Sequence, residues 1–150
     1  MRYLYHGSQY LLEKLIPRND RDGQEQAVFA TESVDIATLF ALPIRPYPDT
    51  QDGRKAWTLT TDDAGVLFVH VECGIIDPYG VGYVYTLSSE GFTKINELEW
   101  ISHDEVKPIE VMQIKVDEYW HRIRFSAQAL EINKALYPSD SLYQYFNNPL

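Results

Sequence analysis

Strand patterns fill the centre of this 150-residue chain, and helical patterns flank them without regular alternation. The clearest strand runs from Val66 to Cys73, where apolar residues at every second position share one face. Because a doubly wound sheet needs strands and helices in strict succession, this order predicts an α+β fold instead. Further strands are predicted at residues 3–6, 27–30, 82–87, 98–102 and 109–116.

Two helices are predicted in the first third of the chain. Apolar residues at helical spacing between residues 11 and 16 indicate a short helix before Pro17. A second helix is expected to begin after Thr31 or Ser33, whose hydroxyls suit an N-cap, and to run to about Leu42. The residues expected on its buried stripe are Ile36, Ala37, Phe40 and Ala41.

The length is close to that of the commonest single domain, so residues 1–150 are predicted to form one. Its core is expected to span residues 1–116, with a C-terminal helix and tail over residues 117–150. That helix should carry Trp120 and Leu130 on one side and end before Pro138. The proline-rich stretch from Arg45 to Ala64 is predicted to be a long loop that serves as a lid.

Charge and composition narrow the possible partners. The net charge of −9 repels polyanions, so nucleic acid is not expected to bind. No apolar run approaches the roughly 20 residues that cross a bilayer, and residues 1–6 lack the apolar stretch of a signal peptide, so a cytoplasmic protein without membrane contact is expected. The one cysteine, Cys73, excludes an internal disulfide. The four histidines show no ligand spacing, and no metal is predicted.

Four short motifs occur in strand contexts over residues 3–116. Together they resemble the ADP-ribosyltransferase superfamily, and more narrowly its His-Tyr-Glu branch, which includes diphtheria toxin, the poly-ADP-ribose polymerases and small rifampin-modifying transferases. A chain this small resembles the bacterial or phage-like members. The motifs are Tyr5-His6-Gly7-Ser8, Val28-Phe29-Ala30-Thr31, Gly82-Tyr83-Val84-Tyr85 and Glu99-Trp100-Ile101-Ser102.

The resemblance implies a split, strongly bent β core with flanking helices, in which NAD lies in a cleft as the substrate. The backbone of Gly7 would hold the nicotinamide carboxamide, and His6 would bond the ribose on the adenosine side. Phe29 would lie against the nicotinamide ring, while Ser8 and Thr31 would supply supporting hydroxyls. No Gly-x-Gly-x-x-Gly motif is present, so NAD would not bind in the Rossmann manner.

A carboxylate at Glu99 also has a chemical reason. Breaking the nicotinamide–ribose bond builds positive charge on the ribose, and a fixed anion stabilises that charge. Glu99 and His6 are therefore the predicted catalytic residues. Glu97, two residues earlier, formally completes a Glu-x-Glu pair and is given a role on the acceptor side. The implied activity is mono-ADP-ribosyl transfer to a protein or small-molecule acceptor.

Two alternatives remain open. The second strand carries Val28 and Phe29 where the branch has Tyr, and some members of the superfamily have lost catalysis, so a non-catalytic binding module on the same scaffold is the alternative. A related RNA 2′-phosphotransferase must hold phosphates and is disfavoured in so acidic a chain. His70 and Glu72 have the types of an acid–base pair, but on a strand with one polar face they indicate surface residues.

Overall fold

The computed structural model describes residues 2–19, 26–47 and 55–143 of the chain. These residues form a mixed α+β fold that is mostly strands in several small sheets with a few helices, which confirms the predicted class. The strands are β1 (Tyr3–Ser8), β2 (Arg18–Asn19), β3 (Gln26–Ala30), β4 (Ile44–Pro46), β5 (Trp57–Thr61), β6 (Leu67–Val71), β7 (Gly74–Ile76), β8 (Val81–Ser88), β9 (Thr93–Lys94), β10 (Trp100–Ser102), β11 (Glu110–Lys115) and β12 (Ile123–Phe125). The helices are α1 (Val34–Phe40), a 3-10 helix (Val116–Arg122), α2 (Ala127–Leu136) and α3 (Asp140–Tyr143).

The chain divides into two compact units, one formed by residues 1–42 with 81–114 and the other by residues 43–80 with 115–150. In the first unit, β1, β8 and β11 form one sheet and β2, β3, β10 and β9 form another. Between them lies an apolar core of buried side chains. No helix in the described part of the chain has the length and apolar character to span a membrane. The core side chains are Leu4, Leu15, Val28, Ala30, Tyr85, Leu87 and Phe92.

Helix α1 packs directly on the backbone of two strands in the first unit. Its N-cap is Ser33, one of the two caps that the sequence predicted, and the Ser33 hydroxyl accepts from the Ile36 N–H at 3.1 Å. A Cβ added to Gly7 would lie 2.0 Å from the Ala37 carbonyl oxygen, and one added to Gly82 would lie 1.9 Å from that of Ala41. Glycine at these two positions is what lets the helix approach β1 and β8 so closely.

The helix predicted over residues 11–16 is wrong. Its backbone groups bond outside the segment: the Leu12 N–H donates to the Tyr85 hydroxyl at 2.7 Å, and that hydroxyl donates to the Tyr10 carbonyl at 2.7 Å. Leu15 forms a bridge with Val106. Contacts with distant residues therefore override the helical spacing of this segment. Its apolar side chains do not form one buried stripe, because Leu15 is buried whereas Leu11 is exposed.

The second unit contains strands that the sequence assigned to a loop. Within Arg45–Ala64, β4 pairs with β7 and β5 pairs with β6, so a continuous loop was the wrong prediction there. Residues 48–54 of that segment lie outside the described residues. Strand β6 shows the predicted alternation, with Val69 and Val71 buried, although Phe68 on the other face is buried as well.

The C-terminal helix begins later than predicted. Residues 116–125 form the 3-10 helix and then β12, which lies parallel to β6. Helix α2 starts after Ser126, whose hydroxyl caps it, and ends before Pro138 as expected. The buried Asn133 ties α2 to β7, because its side chain accepts from the Ile76 N–H and donates to the Gly74 carbonyl, each at 3.0 Å. Of the aromatic tail, Tyr143 is buried, and residues 144–150 lie outside the described part.

Candidate functional site

The two sheets of the first unit meet at one place and then part. Tyr5 on β1 and Thr31, just after β3, exchange two backbone hydrogen bonds of 2.7 and 2.9 Å. Beyond that bridge, β1 continues to Ser8 beside β8. Strand β3 instead pairs with β2 on one edge and with β10 on the other. A gap therefore opens between the end of β1 and the body of β3, and His6 and Phe29 face each other across it.

Gly7 presents peptide groups to this gap. The Thr86 carbonyl accepts from the Ile109 N–H at 2.8 Å, on the side of β8 away from β1. In the antiparallel β1–β8 ladder, Tyr5–Thr86 and Gly7–Val84 are therefore the pairs that exchange no backbone hydrogen bonds. The N–H and C=O of Gly7 point to the same edge as those of Tyr5. Within the described residues no group satisfies them.

The His6 side chain spans the gap. Its Nδ1 lies 2.5 Å from the Phe29 carbonyl oxygen, so this nitrogen carries the proton and donates. Burial lowers the pKa of His6, the bond to Phe29 opposes that effect, and the positive charge of Arg18 adds to the lowering. The imidazole is accordingly neutral at pH 7, and its Nε2 is an acceptor for which the described residues supply no donor.

The other residues predicted to bind NAD lie around the same gap with different local contacts. The Phe29 ring is half-buried and points away from the core that holds Val28 and Ala30. Thr31 is buried, and its hydroxyl accepts from the Ser33 N–H at 3.2 Å, so it supports the entry to α1. The Ser8 hydroxyl accepts from the Tyr10 N–H at 3.1 Å and fixes the turn that follows β1.

Phe40 is the aromatic residue that the sequence placed wrongly. It was expected on the buried stripe of α1, but its side chain is 43% exposed. Ala37 and Ala41, which flank it along the helix, are the residues in contact with Gly7. Phe40 is thus an exposed aromatic residue of the helix that packs on Gly7. The signal that indicates this is the pair of small residues four apart, which marks the strand-facing side of α1 and leaves Phe40 off it.

Glu99 closes a tight turn just before β10. Its carbonyl accepts from the Ile95 N–H at 2.9 Å, and its N–H donates to the Asn96 side chain at 2.9 Å. Residues 96–98 form a bend and β10 begins only at Trp100, two residues after the predicted start of that strand, so neither Glu97 nor Glu99 lies in a strand. Both side chains are exposed, and that of Glu99 lies 3.4 Å from the Asn96 amide nitrogen.

The strand register gives the position of Glu99 relative to the gap. Trp100 pairs with Ala30, so one further step places Glu99 beside Thr31, which in turn bridges to Tyr5. Two strand spacings of about 4.8 Å separate Glu99 from Tyr5. No hydrogen bond or ion pair joins Glu99 to His6 in the described part of the chain.

Charged residues fix the base of the Glu99 turn. The Arg2 guanidinium lies 5.5 Å above the Trp100 ring and 2.9 Å from the Glu32 carboxylate. Lys94 on β9 approaches the other oxygen of Glu32 at 3.7 Å. Trp100 Nε1 is buried and has no hydrogen-bond partner in the described residues. The start of β1, the start of α1 and the β9–β10 hairpin are thus held together around Glu32.

No family model, curated protein or solved structure matches this chain. Within residues 2–19, 26–47 and 55–143, no group of three His, Cys, Asp or Glu side chains is arranged to hold a metal ion. The functional proposal therefore depends on the geometry of the gap between β1 and β3.

Proposed function

We propose that this chain is an NAD-dependent mono-ADP-ribosyltransferase of the His-Tyr-Glu branch, acting on a protein or small-molecule acceptor. The observation that carries the proposal is the gap between β1 and β3, where the unpaired peptide groups of Gly7 lie beside a neutral His6. Two sheets that, among the described residues, join at the Tyr5–Thr31 bridge also agree with a split β core of the ADP-ribosyltransferase kind.

In this proposal the nicotinamide carboxamide pairs with Gly7. The amide has one acceptor oxygen and an NH₂ donor, and Gly7 offers one N–H and one C=O on the same strand edge, so two hydrogen bonds form at once. The rings of Phe29 and Phe40 lie on the face of β3 and on α1, and they supply aromatic surface for the nicotinamide. Nε2 of His6 accepts a hydrogen bond from a hydroxyl of the ribose on the adenosine side.

The reaction breaks the bond between the nicotinamide nitrogen and C1′ of the ribose. The bonding electron pair leaves with nicotinamide, which becomes neutral, and the ribose acquires oxocarbenium character. Glu99, as a carboxylate, stabilises this cation and orients the 2′-hydroxyl of the same ribose. The acceptor nucleophile then bonds to C1′ and releases a proton. Glu97, exposed on the same turn, belongs on the acceptor side.

A non-catalytic binding module on the same scaffold is the second candidate. It is favoured by the position of Glu99, which lies on an exposed turn bonded to Asn96 and makes no contact with His6. It is favoured also by Val28, which is buried in the core where the branch carries a tyrosine. Such a module would bind NAD or a related dinucleotide without cleaving it.

The release of nicotinamide from NAD separates the two candidates. We expect the purified chain to release nicotinamide, slowly to water and faster with a suitable acceptor, and we expect NAD to raise its melting temperature. The assay uses NAD labelled in the nicotinamide ring, with proteins and small nucleophiles as acceptors. A thermal shift without release favours the module, and the absence of both contradicts the transferase and the module alike.

A further inference from the structure

Arg18 forms no ion pair with any of the described residues of this acidic protein. Of the cations described in the first unit, Arg2 and Lys94 share Glu32, and Lys14 lies 3.0 Å from the Glu105 carboxylate. Arg18 and Lys107 form no ion pair within the described residues. Both side chains are exposed.

The register of β2 places Arg18 next to the gap. Arg18 pairs with Ala27 on β3, and antiparallel partners carry their side chains on the same face. Phe29 lies two residues further along β3 and so shares that face with Arg18 as a diagonal neighbour, at a spacing of about 7–8 Å. The charge of Arg18 also reaches His6, where it adds to the effect of burial in lowering the pKa of the imidazole.

We propose that Arg18 binds the diphosphate of the dinucleotide, which makes the ligand of this gap a molecule with two linked phosphates rather than a nicotinamide or a nucleoside alone. The inference rests on the proposed function. In NAD the diphosphate joins the nicotinamide ribose to the adenosine ribose. The proposal places nicotinamide at Gly7 and Phe29 and the adenosine ribose at His6. The diphosphate between them then lies beside His6, on the face of β3 that carries Phe29. Arg18 lies on that same face.

The charge of the protein gives a cation at this place a function. A net charge of −9 repels a dianionic diphosphate at long range, and a local cation offsets that repulsion. An arginine suits the task better than a lysine, because its planar guanidinium donates two parallel hydrogen bonds to phosphate oxygens. Since none of the described carboxylates pairs with Arg18, its guanidinium reaches the phosphates without breaking an ion pair to them.

The test measures dissociation constants of the full-length chain by titration calorimetry for NAD, ADP-ribose and nicotinamide riboside. Arg18→Gln is expected to weaken NAD and ADP-ribose by about 10- to 100-fold, the usual effect of losing hydrogen bonds to a charged group. Nicotinamide riboside, which has no phosphate, should bind as before. Arg18→Lys should fall between, and Lys107→Gln, which removes an equally unpaired and exposed charge, should leave all three constants within about 2-fold.

Each contrary result has its own reading. If Arg18→Gln binds NAD and ADP-ribose as the unaltered protein does, or weakens nicotinamide riboside to the same extent, Arg18 is not the diphosphate site although the proposed function stands. If Lys107→Gln weakens the binding of NAD and ADP-ribose as much as Arg18→Gln does, the effect comes from the overall charge of the protein, and the inference is overturned. If the unaltered chain binds neither NAD nor ADP-ribose, the proposed function fails and the role of Arg18 fails with it.

Discussion

Replacing Glu99 by glutamine should slow the release of nicotinamide from NAD by about 100- to 1000-fold, the cost of removing one preorganised electrostatic group from a transition state. Glutamine keeps the size of the side chain and its reach toward Asn96, so the turn should persist. The carboxylate charge alone is lost. Because NAD is held by Gly7, His6 and Phe29 in this account, NAD should still raise the melting temperature of the Glu99→Gln protein.

Glu97→Gln is the matched control. It removes the same charge from an exposed position on the same turn, two residues away. With water as acceptor its rate of nicotinamide release should stay within about 3-fold of that of the unaltered protein, since an exposed carboxylate off the reacting centre contributes little. Equal losses of the nicotinamide-release rate in the two variants would mean that the negative charge of the turn, and not the Glu99 carboxylate in particular, supports the reaction. A Glu99→Gln protein with an unchanged rate would remove Glu99 from the mechanism.

Gly7→Ala should destabilise the protein by about 3 kcal/mol, at the upper end of the range for overpacking. The new methyl group would stand 2.0 Å from the Ala37 carbonyl oxygen and 2.7 Å from the Ala41 nitrogen. Both are backbone atoms of α1, so no side chain can rotate away and the helix itself must move. The measurement is urea unfolding followed by circular dichroism, compared with the unaltered chain.

Two further glycines serve as comparisons. Gly82→Ala meets the Ala41 carbonyl oxygen at 1.9 Å and should cost a similar amount. Gly80→Ala meets its nearest atom, the Asp77 carbonyl oxygen, at 3.2 Å and should change the free energy of unfolding by less than about 1 kcal/mol. Losses of equal size at Gly7, Gly82 and Gly80 would contradict the close packing of α1 on β1 and β8 and would point to a general effect of removing glycine.

Local patterns predicted much of the first unit. Val81–Ser88 forms one strand near its predicted limits, and Ser33 caps α1 as its hydroxyl indicated, because both depend on neighbouring residues. The predictions failed where distant residues supply the partners. The apolar spacing of residues 11–16 is helical, yet Tyr85 and Val106 form hydrogen bonds with backbone groups of that segment and hold it in a non-helical conformation.

In the candidate site, too, the features that depend on local sequence were predicted and those that depend on distant residues were not. The order His6, Phe29, Glu99 was visible in the sequence, and the structure puts His6 against Phe29. The free edge of Gly7 could not be predicted, since it depends on which β1–β8 pairs exchange hydrogen bonds. Arg18 was missed because a two-residue strand has no recognisable pattern, and only its pairing with Ala27 brings it to the gap.

Hydrogen exchange at the backbone amide of Gly7 tests whether NAD binds in the gap between β1 and β3. In the ligand-free protein this N–H has no described partner and should exchange fast, whereas the neighbouring amide of His6, in a hydrogen-bonded pair with Tyr85, should be protected. Saturating NAD should slow the exchange of Gly7 by about 10-fold or more and leave that of His6 little changed. If NAD binds and protects amides elsewhere while Gly7 exchanges at its former rate, the gap between β1 and β3 is not the nicotinamide site.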